Sequence, residues 1–89
     1  MIYKYNAAVF QGAQGYMAVF PALDDLSVTA LNMDELKEQV SQDVQAFLFA
    51  RKVEGAAIPV NTEFTAQSVI DRLGLPYPYG TVETFTIDA

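Results

Sequence analysis

Gly15-Tyr16-Met17-Ala18-Val19-Phe20, Pro21-Ala22-Leu23-Asp24-Asp25, Leu26-Ser27-Val28-Thr29-Ala30 and the run from Asn32 to Arg51 are the successive pieces of the stretch Gln14 to Arg51, around which the rest of the chain is organised. The first and third pieces are short, rich in β-branched and aromatic residues, and broken by a proline and two adjacent aspartates, so they predict two strands joined by a turn. The last piece predicts one long helix from about Met33. Met33, Leu36, Val40, Val44, Phe47 and Leu48 recur at helical spacing on one face, while Glu38, Gln39, Gln42 and Gln45 fall elsewhere. Asn32 stands at the N-cap position, Asp34 and Glu35 lie where the helix dipole favours negative charge, Arg51 and Lys52 lie where it favours positive charge, and Gly55 supplies the stop. An apolar stripe on one side of a helix has to cover something, and the flanking strands provide a sheet.

Working outward, Ile2 to Phe10 predicts a first strand with Tyr3, Tyr5, Ala7 and Val9 on one face and Lys4 and Asn6 on the other. Gln11-Gly12-Ala13-Gln14 reads as a turn, which makes the first two strands an antiparallel hairpin. The second strand is apolar on both faces, Tyr16, Ala18 and Phe20 against Met17 and Val19, so it is either covered on both sides or uses one face in an interface. Beyond the long helix, Gly55 to Val60 is an extended exit, and Thr65 to Leu73 predicts a short second helix with Thr65 as cap, an apolar side of Val69, Ile70 and Leu73, and Gly74 as its end. Tyr77 and Tyr79, set between prolines and glycine, form either a sticky aromatic edge or a plug against the domain. Thr81 to Ile87 closes the chain as a β-branched strand.

Eighty-nine residues form one domain, 1–89, with a core that needs no staples. With no cysteine and no histidine, thiol nucleophiles and the commonest general base and transition-metal ligand are all missing. No glycine pattern cradles a phosphate, and the serines have no base beside them. Asp24-Asp25 with Asp34 and Glu35 could supply oxygen ligands to magnesium, but aspartates in a turn and acids at a helix start have simpler reasons to be there. The expectation is therefore no enzyme, no metal and no cofactor. Five basic residues against eleven acidic give a net charge of −6, with the basic ones scattered, which argues against direct nucleic-acid binding and suits either simple solubility or a basic protein partner. No stretch resembles a signal peptide or a membrane span, which makes the cytoplasm the expected location.

From Gly15 to Val60 the sequence resembles the HicB family of antitoxins. The likeness rests on Gly15-Tyr16, Phe20-Pro21-Ala22-Leu23, the capped acidic helix start Asn32-Met33-Asp34-Glu35, a helix of about five turns and the exit Gly55-x-x-Ile58-Pro59, aligned without gaps. Asp24-Asp25 stands where the family usually has Pro-Gly, Leu26 where it has Cys, Ala30 where it has Gly and Asn32 where it has Thr, and Thr65 to Gly80 is longer than the usual connector, which marks a divergent member. The resemblance implies a partial ribonuclease-H-like α+β fold: a three-stranded antiparallel meander, one long helix across one face and a fourth strand beside the first. A true ribonuclease-H site needs an acid on the first strand, and Ile2 to Phe10 contains none.

The resemblance further implies a role in binding and neutralising a small basic HicA-type toxin that cleaves mRNA. The C-terminal DNA-binding domain that many relatives carry is not in these residues, which reads either as a stand-alone form or as the N-terminal part of something longer. Asp24, Asp25, Asp34 and Glu35 are expected to gather at one end of the sheet as the partner-binding patch. The alternative function is a stand-alone homo-oligomer, a dimer or larger. Phe49, with Ala46 and Val53 on its side of the helix and away from the apolar stripe, is the candidate oligomer interface, unless the exit segment folds over it.

Overall fold

A computed structural model describes all residues from Met1 to Ala89. The elements are β1 (Ile2–Gly12), β2 (Gly15–Phe20), a 3-10 turn (Pro21–Leu23), β3 (Leu26–Ala30), α1 (Met33–Glu54), α2 (Ala66–Leu73) and β4 (Thr81–Asp88). The four strands form one antiparallel sheet in the order β3-β2-β1-β4, so the α+β meander with a closing strand beside the first is the architecture found. β1 runs two residues further than its apolar pattern suggests. Gln11 and Gly12 pair with Tyr16 and Gly15, which leaves Ala13 and Gln14 as the loop.

Both helices begin as the sequence indicates. The Asn32 side chain accepts from the Glu35 backbone N–H at 2.9 Å, and Thr65 Oγ1 accepts from the Ser68 N–H at 3.1 Å, each satisfying a donor that the first helical turn would otherwise leave unpaired. Gly55 follows α1 in the left-handed conformation, and its N–H reaches back to the last turn. On one face of the sheet, Leu36, Val40, Val44 and Leu48 of α1 are fully buried against Tyr5, Ala7, Ala18, Phe20, Phe85 and neighbours. Phe20 and Phe85 meet as a tilted pair with centroids 5.5 Å apart. The Tyr5 hydroxyl donates to the Pro59 carbonyl at 2.7 Å, tying the exit segment to β1, and burial, followed by the neighbouring Tyr3, pushes that phenol above its ordinary value.

The opposite face is also covered. Ala8, Phe10 and Val19 pack with Ala66, Val69 and Ile70 of α2 as a second buried cluster, and Tyr77 stacks on Phe10 with centroids 5.0 Å apart. Of the two explanations for the double-sided apolar strand β2, the fold realises burial on both sides. β1 shares the pattern: Lys4 and Asn6 begin a face that is buried further along at Ala8 and Phe10. Tyr77 is the plug, while Tyr79 stays 77% exposed.

Candidate protein-binding surface

The acidic residues singled out from the sequence do not share one end of the sheet. Asp24 and Asp25 both adopt the left-handed backbone region, at φ 57 and 58, where the small polar side chain of aspartate is among the better tolerated. Asp24 accepts from Arg51 in the last turn of α1 at 2.7 Å, whereas Asp34 and Glu35 lie in the first turn of the same helix. Between Asp34 and Arg51 lies about 25 Å of helix at 1.5 Å per residue, so the expected single patch is two separate ones. Neither half of the turn pair is free: Arg72, in the last turn of α2, grips Asp25 through its two terminal guanidinium nitrogens at 2.5 and 2.8 Å. These two bridges staple the turn after β2 to the ends of α1 and α2.

The hydrogen bonds from Arg72, against a smaller opposing effect of burial, hold the Asp25 carboxyl below its ordinary value of 3.8. The sign follows from linkage. A depressed carboxylate contributes its stability in full above the ordinary value and loses it as the pH falls below that value through the depressed one. With side-chain exposures of 48% and 32%, the pair is partly screened and its contribution is small. Asp25→Asn, which keeps a residue tolerant of the left-handed backbone, should melt slightly below the parent at neutral pH and converge with it in strong acid. An undiminished gap in acid would show that the carboxylate charge is not what Arg72 reads.

At the other end, the β1–β2 hairpin tip, the start of α1 and the Pro76 to Pro78 connector surround an open cleft of about 980 Å³. The wall that α1 contributes consists of Glu35, Glu38, Gln39 and Gln42, and no lysine or arginine lines the cleft. These four recur at i, i+3, i+4 and i+7, a second stripe on α1 that the sequence displays as plainly as the apolar one, yet only Glu35 stood out there as a candidate. Gln39 donates to Asp43 at 2.8 Å, so the amide nitrogen is engaged and the oxygen is left to accept. Nowhere do three or more carboxylates gather as a cation site. The surface offers acceptors and negative potential, which suits cationic side chains.

Phe49 stays 69% exposed and Val53 71%, with Ala46 also exposed beside them, so the exit segment does not fold over this patch. The cations nearby are occupied by aromatic faces: Arg51 lies 5.1 Å from the Phe47 ring centroid and Lys52 5.6 Å from that of Tyr3. No helix is long and apolar enough to cross a membrane.

No family model matches the chain, and no curated protein matches it either. Among solved structures, a chain of a HicA3 and HicB3 toxin-antitoxin complex superposes with a TM-score of 0.69 at 15% identity, covering 98% of this chain and 100% of that one. The two chains share a fold from end to end. At this identity the likeness establishes architecture alone.

Proposed function

We propose that this chain is an antitoxin of the HicB type, which binds a small basic mRNA-cleaving toxin and covers its active site by protein–protein contact. The observation that carries the reading is the end-to-end fold match with a chain of a toxin-antitoxin complex. Three features of this molecule support the antitoxin side. The central strand β1 carries no acid and the chain no histidine, so neither a two-metal site nor an imidazole base is at hand for RNA cleavage. The net charge of −6 complements a basic partner. The cleft at the hairpin end carries Glu35 and Glu38 with no cation among its lining residues.

Co-expression with any small basic protein encoded beside this chain's gene should yield a complex that survives purification; recovery of this chain alone, or the absence of such a reading frame, would argue against the reading. Within such a complex Glu35→Lys with Glu38→Lys should slow association by about tenfold or more at low ionic strength and less once salt shortens the screening length. Asp24→Lys is the contrast, because Asp24 already faces Arg51. An equal loss at both places would move the contact away from the cleft.

A second reading has its own observation. The exposed group Ala46, Phe49 and Val53 suits self-association through α1, and a stand-alone homo-oligomer with no toxin partner is the function that follows if no complex forms.

A further inference from the structure

The backbone register of β4 decides which of its groups face outward. Ala89 N–H donates to the Met1 carbonyl, and Ile2 pairs with Asp88. Hydrogen-bonded and non-bonded pairs alternate along an antiparallel ladder, so Tyr3–Ile87, Tyr5–Phe85 and Ala7–Glu83 are the bonded pairs. Val82, Thr84, Thr86 and Asp88 therefore turn their N–H and C=O groups away from β1, toward the open side of the sheet. The Gln45 side chain donates to the Asp88 carbonyl at 2.7 Å and closes that end. No other backbone or side-chain bond reaches the edge, leaving Val82 to Thr86 as an unpaired strand.

Natural edge strands are usually blunted by proline, lysine, a bulge or shortness. β4 is eight residues, Thr-Val-Glu-Thr-Phe-Thr-Ile-Asp, with no proline and no lysine. Beside it runs a groove of about 260 Å³ between the edge and the first turns of α1, walled by Met33, Lys37, Glu83 and Phe85.

We infer that β4 is a homodimerisation edge, pairing antiparallel with β4 of a second copy across a two-fold axis at Thr84. The symmetry is self-complementary: the free stretch is centred on Thr84, so Val82 meets Thr86 of the other copy, about six backbone hydrogen bonds form, and both open edges close together. Charge favours the same occupant. In this register Glu83 of each copy lies opposite Phe85 of the other, inside the groove walled by Lys37, so a lysine and a glutamate of opposite copies face each other twice. This surface is separate from the Phe49 patch and from the Glu35 cleft, and the inference stands whether or not a toxin partner exists.

Sedimentation equilibrium of the unaltered chain should show a dimer. Thr86→Pro removes one outward N–H and no bond to β1, and should weaken dimerisation by about a hundredfold while the circular dichroism spectrum is unchanged. Lys37→Glu should weaken it by roughly tenfold, and adding Glu83→Lys should restore it. Amide hydrogen exchange of the unaltered chain reads the same edge without substitution: Val82, Thr84 and Thr86 should be protected in the dimer and should lose protection on dilution. A chain that stays monomeric at high concentration overturns the inference. So does a dimer whose Val82, Thr84 and Thr86 amides exchange freely, or one that Phe49→Asp dissociates and a folded Thr86→Pro does not.

Discussion

Gly15→Ala is expected to cost about 3 kcal/mol or more, from backbone strain together with displacement of a neighbouring strand. Gly15 has φ +125, a region closed to residues with a Cβ, and a Cβ built there would lie 2.3 Å from the Ala30 carbonyl oxygen on β3. That oxygen is backbone and cannot swing aside, so β2 and β3 would have to separate where Tyr16 pairs with Ala30. For a domain of this size the loss corresponds to a fall in melting temperature of roughly 15 °C or more. Gly55→Ala is the calibrating comparison. Gly55 has φ +71 with nothing within 4 Å of the added Cβ, so only the left-handed penalty of about 1 kcal/mol applies. Thermal unfolding of both variants measures the difference, and equal costs would contradict the close approach of β2 to β3.

Phe10→Ala and Phe20→Ala are expected to destabilise the fold by similar amounts, about 3–5 kcal/mol each, although they lie on opposite faces of the sheet. Both are fully buried. Phe20 fills the main core against Phe85, and Phe10 fills the second cluster beneath α2 and the Tyr77 ring. A helix of eight residues has little stability of its own, so α2 is held by this packing and loses its seat when the ring is removed. Urea unfolding with a single transition for each variant is the measurement. A Phe10→Ala cost below about 1 kcal/mol would mean that α2 covers the sheet only loosely.

What the sequence displays and what it conceals divide along chain separation. The α1 stripe, the caps at Asn32 and Thr65 and the stops at Gly55 and Gly74 are signals between residues a few positions apart, and they reappear in the fold. The strand order needed the fourth strand's partner, which came from the family resemblance rather than from any local pattern. The pairings Asp24 with Arg51 and Asp25 with Arg72 join residues 27 and 47 positions apart. No periodicity announces such contacts, and without them nothing in the sequence separates the two acidic groups. The same holds for α2: its apolar side was legible, but its seat on Phe10 and Val19 was not, because β1 shows polar Lys4 and Asn6 on that face before the buried residues begin. At the surface, the Glu35–Glu38–Gln39–Gln42 stripe is readable by spacing, but its place as one wall of a cleft emerges only when the fold sets the hairpin tip beside it.

If this chain is an antitoxin of the HicB type, it neutralises its partner in the cell, and a growth assay reads that neutralisation. Any small basic protein encoded beside this chain's gene would be induced alone and together with this chain, with colony formation and bulk mRNA integrity read side by side. Arrest and mRNA loss are expected with the basic protein alone, full rescue when this chain is co-induced, and weakened rescue by the Glu35→Lys, Glu38→Lys variant. Arrest that persists despite abundant, folded chain would contradict the antitoxin reading.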